Sequence, residues 1–393
     1  MEAPWVILRR FLGVVPKHAE AEHPAAISAA LRAPPRVTIL SVAASARPHA
    51  THPDKAPYLV AAGTSGLLIC FAAGEAPIEA ADLIVARNFL PPPADPSRQP
   101  TTGSAERVPR RPGSMPAACN LRSLGLTPGI HDDDYVITEL HVPEPGDRAT
   151  KLRRFFSGAK LWIETDQLPN PLSGADREWA PSGVVAHEGK LWFFDLSWGL
   201  ISCDPNVILP GLRFHGLPPG RRIHEPKPFI HTIRWIGVSN RMLRYVDIAR
   251  DLDLDGRIAE KKVAVWTAIP DHDAGDCDYS IRWLKTYETS FREIWNDQSY
   301  RETKMPRMIP EIVLVNPRNP NVVYFFLRGS LFGVNVPAHR VVEFVKDAHK
   351  LVAPGCRRCV LPWDLPPSIA NGLVEPIVPF QEQSGSSTSG TSD

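Results

Sequence analysis

The sequence predicts a mainly-β fold: a β-propeller-like repeat of short four-stranded antiparallel sheets, about six blades, with few short helices. Two observations predict it. Short apolar strands recur every 40 to 50 residues, roughly the length of one propeller blade. Prolines are also frequent, 41 in 393 residues, and proline ends helices and is excluded from central strands. The alternative that uses the same strands is a pair of β-sandwiches.

The clearest repeat unit begins at Gly183. An apolar strand, the turn Glu188-Gly189 and the apolar strand Leu191–Asp195 follow one another there, which is typical of a meander. The run Leu191–Asp195 (LWFFD) is echoed by Leu243–Asp247 (LRYVD), and a third unit begins with the strand 322–327. Because one blade cannot bury both of its apolar faces, we expect such units to stack around an axis.

A short helix is predicted from Phe291 to Ser299. Ser290 and Glu293 have the spacing of a capping box, in which each side chain bonds the backbone N–H of the other residue. Phe291, Ile294 and Trp295 share one apolar face.

The repeats lie in one predicted propeller-like domain, residues 1–350. Within it, residues 91–131 are rich in proline, serine and threonine and are predicted to be a flexible insertion, because they carry too little apolar surface to offset the entropy of ordering. Residues 351–380 are predicted to be a C-terminal extension. By composition, residues 381–393 are predicted to be a disordered tail.

The charge balance argues against binding to polyanions. Lysine and arginine number 44 and the acids 43, a net charge of +1, whereas nucleic acids and anionic membranes require a basic surface. The first 15 residues lack the features of a secretory signal, no Asn-x-Ser/Thr acceptor occurs, and the six cysteines are scattered. We therefore expect a soluble intracellular monomer, cytoplasmic or nuclear, that binds neither nucleic acid nor membrane and has a protein partner of unknown identity.

Three catalytic signatures are incomplete. Gly183 to Lys190 has five residues between its glycines, where a phosphate loop has four. Gly63-Thr-Ser-Gly66 has Leu67 where a hydrolase elbow has its second glycine. His187-Glu188 and His224-Glu225 lack the second histidine of a zinc helix. The sequence therefore assigns neither a catalytic residue nor a cofactor.

Two clusters contain candidate metal ligands. Residues 251–256 match the first half of a calcium loop, but Lys262 stands where a bidentate acid is required, so a solvated turn between two strands is the favoured interpretation. Residues 356–359 have the Cys-x-x-Cys spacing of half a zinc site, whereas a structural site needs four ligands, so surface thiols are favoured. The candidate ligands are Asp251, Asp253, Asp255, Cys356 and Cys359.

Other conspicuous groups have structural interpretations. The acidic run His131–Asp134 is typical of a solvated loop. The basic run Arg107–Arg111 is a candidate nuclear-localisation or nucleic-acid patch, although its neighbours are uncharged prolines. The ten tryptophans are predicted to pack in the core, because Trp192, Trp235, Trp266, Trp283 and Trp295 lie among apolar residues.

Several central segments are distinctive: WGLISCDP from Trp198, LRFHGLPPG from Leu212, IGVSN from Ile236, TSFREIW from Thr289 and NPNVVYFF from Asn319. In these segments the chain resembles a plant family that is expanded in grasses, the "domain of unknown function 1618". The likeness covers most of residues 4–350 and is most specific over 180–345. It implies a propeller-like protein and supplies no catalytic residues.

The favoured functional hypothesis is a non-enzymatic scaffold that binds a protein partner. Two alternatives stay open. Propeller hydrolases assemble acids and histidines from separate blades around the axis, and no linear motif reveals them. A substrate-receptor-like module of a ubiquitin ligase is the second alternative, and it would need a separate adaptor.

Overall fold

The computed structural model describes residues 4–15, 26–43, 57–73, 80–91, 100–116, 120–145, 149–175, 177–225, 227–249, 261–271, 280–346, 348 and 360–372. The first nine strands are β1 (Trp5–Arg9), β2 (Gly13–Val15), β3 (Ile27–Ala29), β4 (Val37–Thr38), β5 (Leu40–Ala43), β6 (Tyr58–Gly63), β7 (Gly66–Ala73), β8 (Ala80–Leu90) and β9 (Thr101–Arg107).

The next eight strands are β10 (Leu124–Pro128), β11 (Tyr135–His141), β12 (Ala149–Phe156), β13 (Leu161–Pro169), β14 (Gly183–His187), β15 (Lys190–Asp195), β16 (Gly199–Cys203) and β17 (Arg213–Gly216). The last nine are β18 (Arg234–Ser239), β19 (Met242–Ala249), β20 (Lys262–Pro270), β21 (Ile281–Ser290), β22 (Glu311–Val315), β23 (Val322–Leu327), β24 (Ser330–Asn335), β25 (Arg340–Val345) and β26 (Val360–Asp364). Three α-helices are described, α1 (Ile230–Ile233), α2 (Phe291–Asn296) and α3 (Gln298–Glu302).

Consecutive strands pair into antiparallel meanders, which we call blades. Blade 1 is β6–β9, blade 2 is β10–β13, blade 3 is β14–β17, blade 4 is β18–β21 and blade 5 is β22–β25. The closing blade has the order β26-β1-β4, so it combines strands from the two ends of the chain. Blade 1 continues through β9 into β3, β5 and β2, which makes a seven-stranded sheet.

One edge strand of each blade lies nearest the centre of a ring: the first strand in blades 1 to 5, and β26 in the closing blade. β6 lies beside β10, β10 beside β14, β14 beside β18, β18 beside β22, β22 beside β26, and β26 beside β6 again. Six innermost strands therefore surround one axis in the described part of the chain. This arrangement confirms the predicted propeller of about six blades.

The hydrophobic core is divided among the spaces between neighbouring blades, and strand periodicity explains why. In β15, Leu191 and Phe193 pack against blade 2, whereas Trp192 and Phe194 pack against blade 4. The continuous apolar run is thus buried on both faces, since successive side chains point to opposite faces of a strand. Six such clusters occupy the six spaces between blades. The β-sandwich alternative is wrong, because a sandwich has one core between two layers.

Two-residue turns join neighbouring strands, and the predicted turn Glu188-Gly189 is one of them. Glu188-Gly189 and Arg328-Gly329 connect β14 to β15 and β23 to β24. All four residues have positive φ, which a hairpin turn matching the right-handed twist of its strands requires. The predicted capping box is also confirmed: Ser290 accepts from the Glu293 N–H, and Glu293 accepts from the Ser290 N–H.

The predicted flexible insertion at residues 91–131 is wrong in part. It contains β9, which pairs with β8 and β3, and β10, the innermost strand of blade 2. Composition misled the prediction because β9 (TTGSAER) is polar and gains its order from backbone pairing to two neighbours. The domain boundaries predicted for residues 1–350, 351–380 and 381–393 stay predictions.

Buried arginine–acid pairs repeat from blade to blade. The connection that precedes a blade supplies an arginine, and the second strand of that blade supplies a carboxylate that is at most 2% exposed. We call each such pair a blade clamp. The clamps are Arg111–Glu139 at 2.7 Å in blade 2, Arg177–Asp195 at 2.6 Å in blade 3 and Arg221–Asp247 at 3.0 Å in blade 4.

Each clamp arginine also lies over a tryptophan ring. The distances from guanidinium carbon to ring centre are 4.5 Å for Arg111 over Trp162, 4.8 Å for Arg177 over Trp198 and 6.0 Å for Arg221 over Trp266. A guanidinium is suited to this double role, because it forms directed hydrogen bonds at its edge and stacks through its face. The repeated contact fixes each connection against the blade that follows it.

The predicted basic patch at residues 107–111 has a structural role in two of its three arginines. Arg110 pairs with Asp82 at 3.1 Å, and Arg111 belongs to the blade 2 clamp. Within the described residues, no helix is both long and apolar enough to cross a membrane.

Candidate functional site

A channel runs along the propeller axis. It has a volume of about 450 Å³ and is lined by the six innermost strands. Small residues line part of it, among them Gly237 in β18, where an added Cβ would lie 2.3 Å from the Trp235 ring. The channel is large enough for a small ligand.

Charged groups of both signs line the channel. The cations are Arg10, Arg234, Arg241 and Arg318, the carboxylates are Glu311 and Asp364, and the His231 imidazole also lines the channel. Asp364 lies 2.9 Å from Arg318, which ties the end of β26 to the segment after β22. Burial raises the pKa of Asp364, although the Arg318 guanidinium acts in the opposite direction. Burial also raises the pKa of Glu311.

The metal-dependent hydrolase alternative requires metal ligands that converge at the axis. A catalytic metal needs about three protein ligands that converge on one point. Among the residues that the structure describes, no three histidine, cysteine, aspartate or glutamate side chains come close enough to hold a metal ion. Glu311 and Asp364 are the carboxylates of the lining, and Asp364 is already paired with Arg318.

The metal-ligand candidates taken from the sequence lie outside the described residues. β19 ends at Ala249 and β20 begins at Lys262, so Asp251, Asp253 and Asp255 belong to the connection between these two strands. Cys356 and Cys359 precede β26. Their assignment as metal ligands or as surface groups stays a prediction.

A buried serine–histidine pair went unnoticed in the sequence. The Ser202 hydroxyl lies 2.9 Å from Nε2 of His215, on the neighbouring strands β16 and β17. Burial, with smaller contributions from Arg213 and Lys190, lowers the pKa of His215 to about 4. The pair is enclosed under the Trp192 ring, whose centre lies 5.0 Å from that of the imidazole. A nucleophile that substrate cannot reach does no chemistry, so the pair is structural.

The His215 environment predicts a pH-dependent stability. In the unfolded chain His215 takes up a proton near pH 6.5, whereas in the folded chain it does so only near pH 4. Between these values the unfolded state binds more protons, so the free energy of unfolding falls as the pH is lowered, by about 3 kcal/mol in all. Urea unfolding at pH 7 and pH 4 measures this loss. A His215→Gln variant should lose about 3 kcal/mol less than the native chain, and an equal loss in both contradicts the assignment.

An exposed apolar loop connects β16 to β17. Val207, Ile208 and Leu209 are 46%, 85% and 74% exposed, whereas Pro205 and Pro210 on either side are buried. We call residues 205–210 the latch loop. Such a run of large apolar side chains in solvent is unfavourable unless another surface covers it.

The latch loop is held in place by Arg154 of blade 2, which is 2% exposed. Its Nη1 donates to the carbonyl of Pro205 at 3.0 Å and to that of Val207 at 2.5 Å. Its Nη2 donates to the carbonyl of Ile208 and to the Thr165 hydroxyl, both at 2.9 Å. Because the carbonyls point inward to the guanidinium, the side chains of the loop point outward.

A neighbouring loop of blade 2 extends the apolar surface. Asn206 Nδ2 donates to the carbonyl of Pro128 at 3.3 Å, which brings the latch loop beside the β10–β11 connection. Ile130 in that connection is 74% exposed. Leu161 and Ile163 of β13, 51% and 39% exposed, lie on the strand that pairs with the Arg154 strand. Exposed apolar groups of two blades therefore meet at this face.

Comparison with known proteins identifies a family. Residues 192–324 match the model of the family described as "Protein of unknown function (DUF1618)". The resemblance to DUF1618 predicted from the sequence is confirmed for this part of the chain. The DUF1618 match runs from β15 in blade 3 to β23 in blade 5, so it includes the latch loop. Arg154 and the closing blade lie outside it.

Solved structures with some likeness include a chain of the "Mitotic Checkpoint Complex", with 9% identity and a TM-score of 0.33 over 77% of this chain and 72% of that one. Another is the Cps50 (Swd1) β-propeller domain of Myceliophteria thermophila, with 9% identity and a TM-score of 0.31 over 76% of this chain and 93% of that one. No curated protein matches the sequence. The comparisons therefore supply a DUF1618 assignment and no activity.

Proposed function

We propose that this DUF1618 chain is a non-enzymatic scaffold that binds a protein partner through the face carrying the latch loop. The observation that supports it is the latch loop itself: Ile208 and Leu209 are 85% and 74% exposed on a backbone fixed by a buried arginine. Interfaces gain most of their energy from a few large side chains that become fully buried on binding. A closed ring of blades supplies the rigid support that such side chains need.

Lysine-directed cross-linking in a cell extract tests this function. Lys160 lies in the turn before Leu161, on the latch-loop face, and is exposed. A reproducible partner should be cross-linked through Lys160, and the link should vanish from a Lys160→Arg variant. A chain that forms no reproducible cross-link through this face contradicts the proposal. A hydrolytic activity that is lost in Glu311→Gln would instead favour the enzyme alternative.

A further inference from the structure

We propose that the axial channel binds a small organic anion with a flat apolar body. This binding site is separate from the proposed scaffold function, because none of the residues that line the channel belongs to the latch loop. The inference follows from the wall of the channel, from a buried arginine at one of its ends, and from the pairing of the carboxylates near that arginine.

The wall between the two ends of the channel is apolar. Trp235 of β18 is half-buried and lines the channel, with its ring lying along the strand over Gly237. A cavity of about 450 Å³ with such a wall favours a ligand with an apolar body, and a flat body can stack on the indole ring. Each of the six innermost strands contributes at least one apolar side chain, for example Ala61, Leu126, Val185, Ile236, Ile312 and Leu361.

The charged side chains of the lining lie at the two ends of the channel. At the end where β18, β22 and β26 finish, two contacts hold the strands together. The Asn240 N–H donates to the Pro317 carbonyl at 2.7 Å, and Arg318 lies 2.9 Å from Asp364. Arg241 also lines this end, but it is exposed to solvent. Because the one cation here is paired and the other is hydrated, this end offers an anion little advantage over water.

The opposite end of the channel contains a buried cation. Arg234, the first residue of β18, lines the channel and is 8% exposed. Its Nη1 donates to the Leu196 carbonyl at 2.7 Å, and its guanidinium carbon lies 5.9 Å from the centre of the Tyr245 ring. Within the described ranges this is the one hydrogen bond of its side chain, whereas a guanidinium has five N–H donors. Arg10 and the His231 imidazole line the same end.

Two carboxylates have to be considered as partners of Arg234, and neither is paired with it. Asp247 is opposite Arg234 in the register of β18 and β19, but it lies 3.0 Å from Arg221 in the blade 4 clamp. Glu311 lines the channel at the start of β22, and burial raises its pKa with no cation opposing the rise. A carboxylate paired with a guanidinium would instead have its pKa lowered. The positive charge of Arg234 is therefore not neutralised by either acid.

An organic anion matches both features of the channel. A carboxylate or a phosphate monoester accepts directed, charge-assisted hydrogen bonds from a guanidinium. With its anionic group at Arg234, the body of such a ligand lies along the apolar wall that includes Trp235. A neutral ligand leaves the buried charge without a counter-ion, and a cationic ligand adds repulsion to it.

Four probes with the same naphthalene ring test the inference by isothermal titration calorimetry with the full chain. 2-Naphthoate and 2-naphthyl phosphate are anions, 2-naphthamide is neutral, and 2-naphthylmethylamine is a cation. At least one anionic probe should bind about tenfold or more tightly than the amide, and the amine should bind most weakly. The better of the two anions distinguishes a carboxylate ligand from a phosphate ester. An amide or amine that binds as tightly as the anions, or a chain that binds none of the four, overturns the inference.

Variants locate the site. Arg234→Met should lower the affinity for the better anionic probe about tenfold or more, and Arg234→Lys should recover part of it by keeping the charge. Arg282→Met, at an exposed arginine on β21 of the same blade, is the matched control and should bind normally. Unchanged affinity in Arg234→Met, or an equal loss in Arg282→Met, overturns the inference.

A second variant separates binding from folding, because Arg234 is buried. Trp235→Leu leaves the guanidinium in place and removes the indole from the wall, so it should weaken all naphthalene probes several-fold while the anions still bind more tightly than the amide. Unfolding midpoints of every variant identify any that has lost its fold. If Arg234→Met is unfolded, Trp235→Leu decides, and unchanged affinity in that variant overturns the inference.

Discussion

Replacing Arg177 by methionine is expected to lower the free energy of unfolding by about 3 kcal/mol, as when one partner of a buried ion pair is removed. Its partner Asp195 is 1% exposed, so the carboxylate is left without its counter-ion where water does not reach it. The Ala180 and Ser197 backbone N–H groups still donate to Asp195 at 3.1 and 2.8 Å, which places the loss at the lower end of the usual range. Urea unfolding at pH 7 measures it.

Two further variants separate the causes of that loss. The double variant Arg177→Met/Asp195→Asn removes the uncompensated charge and should recover part of the stability. Lys285→Met breaks an ion pair at a side chain 45% exposed and should cost less than about 1 kcal/mol. If Arg177→Met costs no more than Lys285→Met, the blade clamp does not stabilise the connection between blades.

Replacing Trp363 by alanine is expected to cost about 3 to 5 kcal/mol, as for other fully buried aromatic side chains. Trp363 is 2% exposed and packs edge to face on Phe89 of blade 1, with ring centres 5.0 Å apart. It also pairs with Val6 in the register of β26 and β1. The substitution therefore acts at the point where the ring is closed.

Hydrogen exchange followed by mass spectrometry gives the sharper measurement for Trp363→Ala. Amides of β1 (Trp5–Arg9) should exchange faster although the substitution lies in β26, because the two strands share hydrogen bonds. Leu284→Ala, at an exposed site, should change stability by less than about 0.5 kcal/mol. Native protection of β1 in the Trp363 variant contradicts the role assigned to this strand pair.

Local patterns in the sequence predicted the blades well. The run Leu191–Asp195 and its echo Leu243–Asp247 lie in the second strands of blades 3 and 4, because a short run of apolar side chains indicates a strand that is buried on both faces. The run and its echo each end in a clamp acid, Asp195 and Asp247. The short capped helix was also predictable from a local pattern, since the residues of a capping box lie within four consecutive positions.

Contacts between distant residues were not predictable in this way. Arg154 lies 51 to 54 residues before the carbonyls that it bonds, and no periodic pattern marks either partner. The same holds for Arg177 and Arg221, which lie in irregular connections. The pairing of β1 with β26 joins the two ends of the described chain, and only stacking of whole blades brings them together. The polar composition of β9 likewise led to a wrong prediction, because this strand is ordered by backbone pairing with β8 and β3.

Closure of the ring by the first and last strands is the central claim, and disulfide trapping tests it most directly. Arg9 and Val360 are opposite each other in β1 and β26, and paired residues in antiparallel strands have the Cα separation that a disulfide requires. In a chain with Cys119, Cys277, Cys356 and Cys359 replaced by serine, Arg9→Cys/Val360→Cys should form one intramolecular disulfide under mild oxidation. The control pair Arg9→Cys/Asp364→Cys, four residues out of register, should stay reduced. Equal oxidation of both pairs, or none in the folded chain, would contradict a closed propeller.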